Sequence, residues 1–227
     1  MFRLYAVLIG YAFGLIQTAF ILGKIKGIDI REHGSGNAGT TNTMRVLGTK
    51  AGLLVFAGDC LKCVIAVLLC SYIFAGDNPE LTHLVKLYAG FGAIIGHNFP
   101  FYLKFKGGKG IACTAGMIFS FDPWFTLVGL TIFFTIFFIT HYVSLGSLCM
   151  YPYILIMEII LGQMGYFGNV ADVKYILYEM YAITFVLLAI TTYMHRANIK
   201  RLIGHCEKKI YLTSKGKEKY KKELQNE

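Results

Sequence analysis

Three polar clusters interrupt an otherwise apolar chain, and each is equipped to hold an anion. The first reads Gly34-Ser35-Gly36-Asn37-Ala38-Gly39-Thr40-Thr41-Asn42, with Arg45 just beyond. Glycines let backbone N–H groups turn inward to form an anion-binding nest. Ser35, Asn37, Thr41 and Asn42 add hydroxyl and amide groups, and Arg45 adds a planar fork suited to phosphate. A short helix expected over residues 41–47 would offer its N-terminus to the same anion. The Gly-Lys-Ser/Thr ending of a nucleotide P-loop is missing. The second cluster is Gly96-His97-Asn98-Phe99-Pro100 followed by Phe105-Lys106-Gly107-Gly108-Lys109-Gly110, a diglycine turn between two lysines. The third is His195-Arg196-Ala197-Asn198-Ile199-Lys200-Arg201, with Glu207 further on. A polar turn around His141, Tyr142, Ser144 and Ser147 could close the same pocket.

Each cluster also has a plainer reading. The first is ordinary loop material, the lysines of the second suit a membrane-interface anchor, and the basic residues of the third suit the flank of a membrane helix. The plain reading does not account for Asn198. A Ser-His-Asp order and an H-E-x-x-H zinc motif are both missing, so the inventory suits reactants that arrive already activated and phosphorylated.

The elements that must carry these clusters are membrane helices. The 227 residues are 56% hydrophobic and only 15% charged, and the mean hydropathy is +0.56. That is too apolar for an ordinary soluble domain. A spanning helix needs about 20 apolar residues. Residues 4–23, 51–75 and 175–194 reach that length, and 84–100, 124–140 and 147–163 come close to it. Residues 110–121 are short, and counting them decides between six spans and seven. Lys and Arg concentrate between the first and second spans, between the third and fourth, and after the last. The positive-inside rule then puts the N-terminus outside and the C-terminus inside, which requires an odd number of spans. The expected fold is an all-α, polytopic bundle of seven transmembrane helices over residues 1–210, with a Lys-rich cytoplasmic tail at 211–227. The first span reads as a retained helix, not a cleaved signal peptide. The net charge of +9 needs no nucleic acid, because residues 208–227 alone hold seven Lys against three Glu.

Ionisable groups inside a membrane helix face the bundle and pair. Asp59 and Lys62 lie three residues apart on one helix face and read as an internal ion pair bracing the site. Cys60 and Cys63 have a C-x-x-C spacing but no second pair, and they read as packing at a helix interface.

The three clusters together resemble the bacterial membrane acyltransferases that move a fatty acyl group from acyl phosphate to glycerol 3-phosphate. The signatures run from Ser35 to Arg45, from Gly96 to Gly110 and from His195 to Glu207, and the match extends to about residue 210. The glycine usual two residues before the Glu is His205 here, with Gly204 one position early. The H-x-x-x-x-D pair of acyl-CoA-dependent glycerolipid acyltransferases is missing. The resemblance implies a bacterial cytoplasmic-membrane enzyme with its active site on the cytoplasmic face, no metal and no cofactor. Its product would be lysophosphatidic acid. Its partners would be glycerol 3-phosphate, acyl phosphate and the lipid bilayer. Ser35, Gly36, Asn37, Thr41, Asn42, Arg45, Lys106, Gly107, Gly108 and Lys109 would bind phosphate, with Ser144, His195, Asn198 and Glu207 completing the pocket. His97 would polarise the reacting carbonyl, and Ser35, Lys106 and Asn198 would share the catalytic work. The readings that compete are an acyltransferase using acyl-CoA or acyl carrier protein, and a transporter of a phosphorylated solute.

Overall fold

The computed structural model describes residues 1–76 and 78–211. Among these residues every regular element is helical: α1 (Phe2–Gly14), α2 (Thr18–Ile25), α3 (Thr40–Leu47), α4 (Thr49–Phe74), α5 (Pro79–Asn98), α6 (Ile111–Phe121), α7 (Pro123–Thr140), α8 (Val143–Gln163), α9 (Val170–Met194) and α10 (Arg196–Ile203). Two single-turn 3₁₀ segments lie in the loops. The Lys-rich tail expected at 211–227 falls, beyond Tyr211, outside the described residues.

Helix starts are set by local chemistry. Asn78, Asp122 and Asn169 each accept a hydrogen bond from a backbone N–H two residues on, and proline fills the first helical position after Asn78 and Asp122. Five stretches are long and apolar enough to cross a membrane: Phe2–Ile25, Thr49–Phe74, Pro123–Thr140, Val143–Gln163 and Val170–Met194. Seven are expected from the sequence. The other two are α5, which has the length but carries Glu80, His83 and Lys86, and α6. The 11 residues of α6 rise only about 16 Å, roughly half a hydrocarbon core.

The helix ends segregate into two groups. At one end His83 packs edge-on against Phe121 and Phe167, Tyr166 donates to Asp122, and Arg3 pairs with Glu179 at 2.5 Å. At the other end His97, Gly110, Ser144 and His195 line one cavity. Thus α5 and α6 both reach between the two groups, in opposite directions, although α6 is so short.

The first expected span is broken. Residues 15–17 separate α1 from α2, and the freed carbonyls are met by side chains from other helices. Lys62 donates to the carbonyls of Gly14 and Ile16, Tyr102 donates to that of Leu15, and buried Gln17 donates to that of His97. Unsatisfied carbonyls in a membrane interior are costly, so the break depends on these donors. Close approach of α1 and α5 requires Gly14 and Gly96. A Cβ on Gly14 would sit 2.3 Å from the Ala93 carbonyl oxygen, and one on Gly96 would sit 2.3 Å from that of Tyr11. This contact delivers His97 to the break.

Candidate active site

His97 ends α5 and is 3% exposed. Lys62 Nζ lies 2.9 Å from its Nδ1 and 2.8 Å from Asp59 Oδ1, and Thr18 donates to the same carboxylate oxygen. An ammonium has only donors, so Nδ1 must accept and the ring proton sits on Nε2. The buried Asp59–Lys62 pair expected from the sequence is therefore present, and it also fixes the histidine's tautomer. Nε2 faces Gly108, where a Cβ would come within 2.0 Å of it. His97 and Asp59 both line a cavity of about 600 Å³.

The first loop closes one side of that cavity. Gly34 and Gly36 take left-handed backbone angles, and a Cβ on Gly34 would press to 2.3 Å from Asn42 Oδ1. Asn42 is buried, and all its capacity is spent inside the loop. It accepts from Ser35 N and Oγ and donates to the carbonyls of Ile30 and His33. It staples the loop, where the sequence reading had it holding phosphate. Among the described residues no side chain caps the first turn of α3, and Gly39, Thr40 and Thr41 face the cavity there. Thr40 Oγ1 is buried without a hydrogen-bond partner among the described residues. Arg45 also lines the cavity, exposed and without a hydrogen-bond or ion-pair partner among the described residues.

The diglycine turn differs from the expectation. Gly107 N donates to the Asn98 carbonyl and Gly108 N to the His97 carbonyl. These two N–H groups cap the end of α5 and are not free for phosphate. Lys106, expected to grip phosphate, is exposed and lines a separate shallow depression with Asp29, Arg31 and Glu32. Lys109, also expected at the phosphate, lines the main cavity. Consecutive left-handed residues, Lys104 and Phe105, reverse the chain just before Lys106 and turn it away.

On the opposite wall Lys109 donates to Asn198 Oδ1. Asn198 Nδ2 and Ser144 Oγ then converge on Glu207 Oε1 at 2.7 and 2.9 Å, and Arg201 Nε meets Oε2 at 2.6 Å. Burial pushes the Glu207 carboxyl up, but the hydrogen bonds from Arg201, Asn198 and Ser144 outweigh it and hold the group below its ordinary range. Burial, helped by the charge on Arg201, brings Lys109 down to about 8. Burial lowers His195 to about 4, so its ring is neutral at pH 7. Its Nδ1 is 2.9 Å from the Thr191 carbonyl, which only accepts, so Nδ1 carries the proton and Nε2 is left as the ring's acceptor. The two histidines therefore present opposite chemistry to one cavity.

Ser144 and Ser147 were read as a polar turn but lie inside the first turns of α8, where Ser147 bonds back to the Val143 carbonyl. The bonds of Lys62 to His97 and to the carbonyls at the helix break, and that of Arg201 to Glu207, were not legible beforehand. Arg201 sits three residues after Asn198, on the same face of α10, and that spacing was the available signal.

Beyond its cationic mouth the cavity continues as an apolar groove along α6, α7 and α8, lined by Ile118, Gly129, Leu130, Phe133, Phe137 and Met150. The sequence matches the glycerol-3-phosphate acyltransferase family over residues 4–205. The chain belongs to this family. The glycerol-3-phosphate acyltransferase of Thermoanaerobacter pseudethanolicus is 38% identical over 211 residues, covering 92% of this chain and 96% of the relative. That of Bacillus subtilis is 38% identical over 207 residues, covering 90% and 95%. Among solved structures, PlsY (YgiH), an integral membrane glycerol 3-phosphate acyltransferase, is similar in its glycerol 3-phosphate form, with a TM-score of 0.78 and 31% identity over 92% of this chain and 96% of that one. Its lysophosphatidic acid form gives 0.75 and 30%, over 92% and 95%. The chain is thus an integral membrane acyltransferase of phospholipid biosynthesis, and the transporter reading falls away.

Proposed function

We propose that this enzyme transfers a fatty acyl group from acyl phosphate to glycerol 3-phosphate, releasing lysophosphatidic acid and inorganic phosphate. The observation that carries the reading is the shape and charge of one cavity. Arg45, Lys109, Arg196, Arg201 and Lys208 line it against two carboxylates, Glu207 and the Asp59 already paired with Lys62, and its depth is apolar. Such a mouth suits two phosphates, and such a groove suits one acyl chain. PlsY, the similar solved structure, has been captured with glycerol 3-phosphate and with lysophosphatidic acid.

The chemistry follows from the two histidines. His97 Nε2–H donates to the acyl carbonyl oxygen and stabilises the charge that develops there. The glycerol hydroxyl oxygen attacks the carbonyl carbon, and the bond from that carbon to the phosphate's bridging oxygen breaks. His195 Nε2 accepts a hydrogen bond from the hydroxyl and orients it. With His195 near 4 and a phosphate second ionisation near 6, the substrate phosphate is the better proton acceptor. Asn37, the first turn of α3 and Arg45 hold one phosphate, and Lys109 with Asn198 holds the other; Ser35, whose N–H and hydroxyl are both given to Asn42, orders the loop around the first. Lys106 lies outside this arrangement and contributes long-range charge only.

Counting α1 with α2, and adding α5 and α6 to the remaining long helices, gives seven crossings. The N-terminus is then outside, and the cavity mouth opens to the cytoplasm at a bacterial inner membrane. The concentration of Lys and Arg in the segments around the mouth supports this orientation. The test is a donor comparison with purified protein in detergent. Turnover is expected with acyl phosphate and not with acyl-CoA or acyl carrier protein; the reverse pattern would overturn the proposal.

A further inference from the structure

The apolar groove has a measurable depth and an identifiable floor. Its α7 wall runs from Phe137, beside the mouth, down to Thr126. Eleven residues of helix rise about 16 Å. The α6 wall runs antiparallel from Ile111 to Phe119, about 12 Å. At the bottom Thr126 Oγ1 bonds to the Ile118 carbonyl at 3.1 Å, tying α6 to α7 and closing the space between them. An all-trans chain advances about 1.2 Å per bond, so the groove houses roughly ten to thirteen carbons.

Gly129 stands one helical turn above that floor. It is buried in α7 and lines the groove. A Cβ there would meet Tyr153 Cε1 at 3.2 Å, Met150 Cε at 3.4 Å and Ile118 Cδ1 at 4.0 Å. Its backbone is ordinary helix, so nothing about local conformation calls for glycine. What the missing side chain provides is open space between α6 and α8. Met150 is flexible and can yield to a methyl group. A longer side chain has nowhere to go but down the groove.

We infer that Gly129 sets the acyl-chain length this enzyme accepts, by leaving the lowest turn of the groove open. The inference rests on the family's acyl-transfer chemistry but not on the identity of the donor. Gly129→Leu fills about one turn, 5 Å, or roughly four carbons.

The test uses purified full-length protein and two readouts. The first is thermal stabilisation by lysophosphatidic acids of ten to eighteen carbons, which needs no donor. The second is relative kcat/KM for acyl phosphates over the same lengths. Gly129→Leu is expected to move the optimum about four carbons shorter, with at least tenfold loss for the longest chains and KM for glycerol 3-phosphate within twofold of wild type. Gly129→Ala folds with less strain and is expected to move it by one or two carbons in the same direction. Leu127→Phe, at similar depth but on the exposed outer face of α7, is expected to leave the profile unchanged. An unchanged length profile in folded Gly129→Ala and Gly129→Leu protein would overturn the inference. Failure of wild type with every acyl phosphate, alongside length-dependent binding of lysophosphatidic acid, would instead overturn the donor reading and leave this one standing.

Discussion

Replacing Lys62 with methionine tests how the interior supports the site. The ammonium satisfies the Gly14 and Ile16 carbonyls at the break between α1 and α2, pairs with Asp59, and fixes the tautomer of His97. Asp59 and Lys62 have side chains only 1% and 3% exposed. Removing one partner of a buried pair leaves the other charge uncompensated, at a cost of about 3–5 kcal/mol. A domain has about 5–15 kcal/mol in total, so Lys62→Met is expected to lower the unfolding temperature in detergent by on the order of 10 °C. The double variant Asp59→Asn, Lys62→Met removes both charges, and the amide oxygen that replaces the carboxylate can still accept from Thr18. Neutral replacement of a whole pair is often close to neutral in stability, so most of the loss should be regained. Activity should not return. Without a donor at Nδ1 the ring is free to take the other tautomer, and kcat should stay down by about 100-fold, the usual cost of a lost transition-state donor. KM for glycerol 3-phosphate should move little. Thermal unfolding and steady-state kinetics on the two variants read both effects. Wild-type stability in Lys62→Met, or wild-type kcat in the double variant, would refute the reasoning.

Other outcomes follow from the same geometry. Arg45→Lys keeps the charge but loses the bidentate fork, so kcat/KM should fall tenfold or more, read in a steady-state assay against Lys106→Ala, which should stay within a few-fold of wild type. Lys109 is protonated below about 8, so kcat/KM for glycerol 3-phosphate should decline as pH rises through that value, and Lys109→Arg should remove the decline. His205 takes a left-handed backbone angle, φ 54°, that glycine adopts without strain, so His205→Gly should raise stability by up to about 1 kcal/mol in a thermal unfolding experiment. Single cysteines at 35, 109 and 198, in a background free of native cysteine, should be labelled only from the cytoplasmic side; external labelling at 109 would contradict the orientation.

Much of this molecule was legible in its sequence because polar residues in an apolar chain are few and each needs a reason. The three clusters do line one cavity, and the i, i+3 spacing of Asp59 and Lys62 revealed their pair. The helix expected over residues 41–47 spans Thr40–Leu47, between Gly39 and Gly48. What escaped was direction. Lys106 and Lys109 flank the same glycines, and only the left-handed turn at Lys104 and Phe105 decides which one faces inward. Asn42 and the diglycine N–H groups looked like phosphate donors because composition does not show where a hydrogen bond is already spent. The break between α1 and α2 was invisible for a related reason. Residues 15 and 16 are apolar, and the donors that tolerate the break come from Lys62 and Tyr102, far along the chain.

The central claim is attack at the carbonyl carbon of an acyl phosphate, and the fate of one oxygen tests it most directly. Acyl phosphate labelled with ¹⁸O at the bridging position is incubated with glycerol 3-phosphate and purified enzyme, and both products are weighed by mass spectrometry. Breaking the carbonyl carbon–oxygen bond sends the label entirely into inorganic phosphate, and the lysophosphatidic acid carries none; that is the result expected here. Label retained in lysophosphatidic acid, or no lysophosphatidic acid formed from acyl phosphate at all, would contradict the account.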